Sequence, residues 1–298
     1  MRPQTEQTYQ ERVLRVLVYI QKHLDETISL DVLACVAHFS PFHFHRVFRG
    51  MVGESVSEHV RRLRLERAAH QLKFSDDPIV HIALGAGYET HESFTRAFRL
   101  MFDEAPSQFR DSQRALPFPK VASGVHYVAD GRSLTFEQPP STGTPHQARI
   151  EQVAPTRVAF MRHVGRYADV GGTWGRLMSW AGPRGLIGPR PTLLGIVHDD
   201  PDITPGDKIR YDACLVIDER FKPEGDVGAQ ELSAGAYAVA THRGPYHELG
   251  RAYAWLCGQW LPSIGRETRS DPSFEVYRNS PMDAAPADLL TDVYIPIE

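Results

Sequence analysis

Seven side chains in the second half of the sequence have the types that a site for an organic cation needs: Tyr167, Trp174, Tyr246, Trp255, Trp260, Glu275 and Tyr277. Aromatic faces attract a cation through the ring quadrupole, and a carboxylate adds an ion pair. Glu275 interrupts the run Phe274-Glu275-Val276-Tyr277, which sets the acid among rings. A second group, nearer the N-terminus, suits duplex DNA: Phe42, His43, His45, Arg46 and Arg49, then Thr90, His91, Glu92, Ser93, Thr95 and Arg96. Arginine can read guanine bidentately, hydroxyls and imidazoles can reach bases or phosphates, and Glu92 can accept from cytosine N4. No acidic residue lies between Asp31 and Glu54. No Ser/His/Asp or Cys/His set stands at an informative spacing, and His198-Asp199-Asp200 reads as a loop, so no catalytic residue is assigned. His43 and His45 would point about 200° apart on a helix, which does not make a metal-chelating pair. Cys35, Cys214 and Cys257 are odd in number and far apart, fitting neither a disulfide framework nor a zinc site. All three read as small buried residues, and neither metal nor cofactor is expected.

The elements that must carry the first group are helices. Val13, Val16, Leu17, Ile20 and Leu24 recur at three and four, a buried stripe. Leu30 to Ala37 follows, capped by Ser29 and closed near His38. Ser40-Pro41, an N-cap with proline behind it, opens a helix that Gly53 ends. Ser55 to Phe74 is a longer helix of about 30 Å carrying Arg61, Arg62, Arg64 and Arg67. Ser75 to Pro78 makes a turn; short helices are expected over Ile79 to Ala86, Thr90 to Met101 and from Pro106. A repeat orders them: Ala34-Cys35-Val36-Ala37-His38-Phe39 answers Ala83-Leu84-Gly85-Ala86-Gly87-Tyr88, and Phe44, Arg46 and Phe48 answer Phe94, Arg96 and Phe98. Each copy is a helix, a tight turn and a second helix, the geometry in which the second helix enters a major groove. A rigid 55–74 helix would hold the two reading helices about one DNA turn apart, with its arginines adding a basic surface.

Composition changes near residue 115. Leu-Pro-Phe-Pro at 116–119 and Gln-Pro-Pro-Ser-Thr-Gly-Thr-Pro at 138–145 mark a linker, with a possible strand pair, Gly124 to Val128 and Ser133 to Phe136, between them. Beyond it, β-rich runs (Arg157 to His163, Tyr211 to Ile217, Tyr237 to His242, Asp292 to Ile297) alternate with helical stretches around Gly172 to Ala181 and Tyr246 to Trp260. Here too the chain repeats. Arg162-His163-Val164-Gly165-Arg166-Tyr167 answers Thr241-His242-Arg243-Gly244-Pro245-Tyr246; Trp174 answers Tyr253, Val197-His198 answers Val276-Tyr277, and Asp212 answers Asp292. The unit is strand, helix, strand, strand, twice. Two such halves about a pseudo-dyad leave a cleft between them, a common place for a small molecule. The fold class is therefore multidomain: an all-α tandem helix-turn-helix domain over 9–112, a linker over 113–146, and an α+β domain of two strand-helix-strand-strand repeats over 147–298.

Residues 13–112 resemble the AraC/XylS family of transcription regulators, in its compact MarA/Rob type. The resemblance rests on Pro78-Ile79, Ala83, Gly87-Tyr88, Ser93-Phe94-Thr95-Arg96-Ala97-Phe98, Phe102-Asp103, Pro106 and Phe109-Arg110, with a less complete first motif from Ser40 to Gly53 in which His38 stands at the usual turn glycine. Residues 147–298 resemble the GyrI-like effector-binding domain through the His-x-Gly-x-Tyr turns, the Phe274 to Tyr277 strand with Asn279 and Pro281, and the closing Leu290 to Ile297. Together these resemblances imply a sequence-specific regulator that binds double-stranded DNA, senses a lipophilic or cationic small-molecule effector and works with RNA polymerase. They also imply a glutamate in the pocket, Glu275 or else Glu267, and one competing activity, hydrolysis of the bound small molecule.

The whole-chain arithmetic fits this division. At 298 residues the chain is long enough for about two domains. Its net charge of −4 argues against a phosphate-binding partner until it is apportioned. Residues 1–115 hold 15 Lys+Arg and 15 Asp+Glu, leaving 18 and 22 of the totals of 33 and 37 for the rest. The acidity belongs to the second part, where it suits a cation sensor. A polar N-terminus and the want of a long apolar run lead to the expectation of a soluble, cytoplasmic protein with no membrane partner.

Overall fold

A computed structural model describes residues 4–112, 116, 118–129, 134–140, 147–188, 192–218 and 221–298. The chain divides into two compact units, the first spanning residues 7–140 and the second 141–298.

The first unit is helical: α1 (Gln4–Lys22), α2 (Leu30–Ala37), α3 (Pro41–Val52), α4 (Val56–Phe74), α5 (Ile79–Gly85), α6 (His91–Phe102) and α7 (Pro106–Asp111). The caps fall where the side chains dictate. Ser29, Ser40, Ser55 and Thr90 each accept from a backbone N–H of the first turn, and Ser55 with Glu58 completes a capping box. The two turns between paired helices are alike: Phe39 N donates to Ala34 O at 3.0 Å, and Tyr88 N to Ala83 O at 3.1 Å. Each needs a left-handed residue. Gly87 meets that freely at φ 83°, whereas His38 is held there at φ 55°, so the missing glycine alters the residue and not the turn. Phe94, Phe98, Phe102 and Phe109 fill the core of the second motif against Leu65, Ala68, Ala69 and Leu72 of α4.

Two expectations for this unit need correction. Three of the four α4 arginines face inward, not toward a ligand. Arg62 is sandwiched by Glu54 at 2.5 Å and Glu66 at 2.8 Å; Arg67 donates to Gly85 O at 2.7 Å and pairs with Asp25; Arg64 donates to Leu24 O and Glu26 O. Only Arg61 of the four is exposed. The segment after α7 is likewise more than a linker. Residues 124–128 form no strand; they run along α1 and α4 and are bonded to both. Glu66 accepts from Tyr127 N at 2.8 Å and from His126 Nδ1, Arg62 donates to Val125 O, and Gln21 takes both His126 O and Val128 N. Backbone groups that would pair in a hairpin are satisfied by buried side chains instead. Ser133, at the other end of the expected pair, lies outside the described residues. Cys35 is exposed, while Cys214 and Cys257 are buried.

The second unit is one eight-stranded antiparallel sheet with order β1-β6-β8-β7-β3-β4-β2-β5. Its strands are β1 (Ala148–Val153), β2 (Thr156–Val164), β3 (Leu193–Val197), β4 (Arg210–Val216), β5 (Gly228–Leu232), β6 (Gly235–Arg243), β7 (Ser273–Tyr277) and β8 (Leu290–Pro296). Helix α8 (Val170–Ala181) packs on β2 and β4, and α9 (Leu249–Trp255), prolonged by a wide π turn over Leu256–Trp260, packs on β6. Each half carries one strand more than the repeat suggested. β1 and β5 each lead into their own half but pair across, β1 with β6 and β5 with β2. The repeat also shifts by one residue before β7, since β3 at 193–197 corresponds to β7 at 273–277. The pseudo-dyad therefore passes between Gly195 and Glu275, which face each other in the β3–β7 register. A buried carboxylate braces each half at matching positions. Asp212 is held by Arg162 at 2.8 Å, His198 and Gln230; Asp292 is held by Arg149, Arg278 and Thr241.

Candidate functional site

The residues expected to meet DNA sit on α3 and α6, and the two helices differ. On α6 the core stripe is Phe94, Phe98 and Phe102, and the opposite side is open: His91, Glu92, Arg96 and Arg99 are exposed. Thr90 and Ser93 are engaged with each other, Ser93 N donating to Thr90 Oγ1 at 3.1 Å, so their hydroxyls serve the helix cap first. Thr95 does not present its hydroxyl outward. Its Oγ1 is covered and has no hydrogen-bond partner among the described residues, because position 95 follows Phe94 toward the core side. On α3, Phe44, Val47, Phe48 and Met51 are buried, and His45 and Arg46 are 3% and 5% exposed. Arg49 is half-buried. The side chain of Phe42 lies outside the described residues. His43 is enclosed by Phe39 edge-on at 5.0 Å, while Tyr9 Oη lies 3.3 Å from its Nε2. Burial, with the Arg46 and Arg12 guanidiniums behind it, pushes the His43 imidazole down to about 3. It is therefore a neutral ring in the absence of DNA.

The aromatic group gathers on the pseudo-dyad. Glu275 on β7 is 7% exposed, and hydroxyls hold both of its oxygens: Tyr253 donates to Oε1 at 3.1 Å and Tyr277 to Oε2 at 2.7 Å. Tyr277 Oη lies 2.7 Å from Tyr211 Oη, and Trp174 Nε1 donates to that Tyr211 oxygen at 3.2 Å. Trp174 and Tyr246 stand edge-on to the Tyr277 ring at 5.8 and 5.5 Å, and Tyr167 stands edge-on to Tyr211 at 6.0 Å. Tyr246 is exposed, while Tyr167 donates to Asp199 O at 2.7 Å. Burial first, and the Glu275 charge second, raise the Tyr211, Tyr277 and Tyr246 hydroxyls above their usual range, which keeps them protonated as donors.

Five of the seven expected residues are thus connected around Glu275: Tyr167, Trp174, Tyr246, Tyr277 and the acid itself. Trp255 and Trp260 stack on each other at 6.5 Å around the π turn. Glu267, the other candidate acid, is exposed. Sequence reasoning missed Tyr211 and Tyr253. Tyr253 was within reach, since the repeat matches it to Trp174. Tyr211 was not, because its counterpart is Thr291, whose short side chain leaves a buried hydroxyl without a partner among the described residues. What could have signalled Tyr211 is Gly195. A Cβ there would fall 2.1 Å from Tyr211 Oη, so the glycine is the seat of the phenol.

Comparison with known proteins gives two family matches, a helix-turn-helix domain over residues 33–112 and a GyrI-like small molecule binding domain over 146–298. Transcriptional regulator Rob of Salmonella typhimurium is 30% identical over 95% of this chain and 96% of its own length. Right origin-binding protein of Escherichia coli K12 is 24% identical over the same shares. Regulatory protein SoxS of Salmonella typhimurium is 32% identical over 35% of this chain and 96% of its own. Among solved structures, the EcmrR C-terminal domain is 20% identical, with a TM-score of 0.42, covering 52% of this chain and 99% of that domain.

Proposed function

The chain belongs to the AraC/XylS regulators of the Rob type, a DNA-binding helix-turn-helix domain joined to a GyrI-like small molecule binding domain, and we propose that its effector is a lipophilic organic cation bound at Glu275. The observation that carries this reading is a buried carboxylate lined by aromatic rings, with hydroxyl donors on both oxygens. Donors of this kind stabilise the ionised form, and an ionised acid inside rings is an attractive place for a large, weakly hydrated cation. Titrating the whole protein with tetraphenylphosphonium, beside a neutral tetraaryl compound of the same shape, tests it. Equal binding of the two refutes the assignment.

Duplex DNA is read chiefly by α6, with Arg96, His91 and Glu92 as base or backbone contacts and Thr90 and Ser93 fixing the helix start. On α3, Arg46, Arg49 and His45 are the second set, and because Arg46 and His45 are buried, DNA reaches them only once α3 is uncovered. RNA polymerase is proposed as the further protein partner and the cytoplasm as the compartment; no helix among the described residues is long and apolar enough to cross a membrane. The relatives similar over 95% of this chain are named an origin-binding protein and a transcriptional regulator, and we read this one as a binding protein without turnover. Both Glu275 oxygens already accept hydrogen bonds, which suits an electrostatic anchor better than a general base.

A further inference from the structure

Two tryptophans that match across the repeat stand in different surroundings. Leu177 of α8 answers Leu256 at an offset of 79, but the ends of the two helices answer each other at 80. Leu186 N donates to Ala181 O as Arg266 N does to Leu261 O, and Gly185 and Gly265 are both left-handed, at φ 68° and 72°. The π turn over Leu256–Trp260 takes up the extra residue. Trp180 and Trp260 are therefore counterparts. One turn before them stand Arg176 in the first half and Trp255 in the second.

In the second half Trp255 lies against Trp260, with ring planes 29° apart. In the first half Arg176 is exposed, and a groove of about 340 Å³ opens beside Trp180. Its floor is apolar, since Met161 and Val227 are buried, and the half-buried Trp180 ring stands edge-on to Phe221 at 5.3 Å. Its walls carry four charges. Arg184 lies over the Trp180 ring at 4.7 Å and pairs with Glu224 at 3.1 Å, so these two neutralise each other. Arg176 and Asp226 are left, both exposed and neither in an ion pair among the described residues. Asp226 is held in place by a tight turn in which Glu224 and Val227 exchange backbone hydrogen bonds at 3.1 and 3.2 Å, with Gly225 at φ 61°.

We propose that this groove is a second small-molecule site, for an aromatic zwitterion of the α-amino acid class. The ligand's ring lies against Trp180 as Trp255 lies against Trp260, its carboxylate faces Arg176 and its ammonium faces Asp226. Burial of the ring supplies most of the affinity, and the two exposed charges supply the choice among ligands. An aromatic cation or anion would answer only one of them. The groove shares no residue with the network around Glu275, so this assignment does not rest on the cation reading.

The test uses the full chain and fluorine NMR titration of 5-fluorotryptophan, beside 5-fluorotryptamine, which lacks the carboxylate, and 5-fluoroindole-3-propionate, which lacks the ammonium. The amino acid is expected to bind about two- to fivefold more tightly than either, the size of one exposed ion pair. Arg176→Gln should bring it to the level of the amine and Asp226→Asn to the level of the acid, and neither should weaken the compound that already lacks the matching group. Trp180→Ala should weaken all three by about tenfold. Glu275→Gln should leave all three unchanged. Equal affinities for the three compounds overturn the assignment, as does no binding of the amino acid to the unmodified protein. A loss in Glu275→Gln with Arg176→Gln silent places the ligand in the other site and overturns it too. If Trp180→Ala does not fold, the two variants of exposed side chains still decide.

Discussion

Glu275 and Arg96 are the single side chains to which the proposed reading assigns effector and DNA binding, and they sit in opposite environments. Glu275 is buried, so its charge acts in a medium of low polarity where an ion pair is strong. Glu275→Gln keeps the shape and removes the charge; cation affinity should fall by about tenfold to a hundredfold while the melting temperature holds or rises, because a buried charge has been removed. Calorimetric titration beside a thermal melt reads both. Arg96 is exposed and reaches outward from an open helix. Arg96→Ala should cost about 1–3 kcal/mol of discrimination, seen as relaxed specificity at one operator position. Arg46→Ala measures the matching contribution of α3 in the same competition assay.

At the scale of elements, the first unit owes its cohesion to a polar seam as well as to phenylalanines. Burial opposes ionisation of Glu54 most, yet hydrogen bonds from His59 and Arg62 bring it down to about 2. His59, like His43, is pushed down by burial above all. The signs agree. A histidine held neutral contributes stability that is complete above about pH 6.5 and is lost as pH falls below it, because the unfolded chain then binds a proton that the folded chain refuses. Glu54 adds a loss between its unfolded value of 4.5 and about 2. The helical unit should therefore melt at steadily lower temperature from pH 7 to pH 4, monitored by helical circular dichroism. The same seam binds the segment after α7: Glu66→Ala would leave Arg62 without one of its two carboxylates and release His126 and Tyr127 N, at a cost of about 3–5 kcal/mol. A fragment ending at 112 should accordingly melt below one ending at 140. That segment is the element the sequence hid. Prolines at 116–119 and 138–145 signal a linker, and nothing local reveals that Gln21, Arg62 and Glu66, far away in sequence, satisfy its backbone. Helices with serine caps and phenylalanine stripes were legible because their causes are local. β1 and β5 were not, since each is an edge strand with polar side chains that pairs only with the other half's strand. The proposed cation site was half legible: the repeat pointed to a cleft and residue types to Glu275, but Tyr211 depends on a glycine one strand away.

For the whole molecule, net charge misleads until it is divided, and so would any single measure of stability. The units at 7–140 and 141–298 each have their own core, so unfolding should show two transitions. An effector at Glu275 raises the transition of the unit that holds it, by about 2.7 kcal/mol when its concentration is a hundred times Kd. Operator DNA raises the other. Regulation demands more than these separate effects, since a ligand alters DNA affinity only if it distinguishes the states that do and do not bind DNA. Whatever factor the effector applies to operator affinity, the operator must apply to effector affinity. Measuring the cation Kd with and without saturating operator, and the operator Kd with and without saturating cation, should give one and the same factor, different from one. Two independent affinities, with a factor of one in both directions, would mean that the cation reports nothing to DNA and that the sensing role belongs to a different ligand.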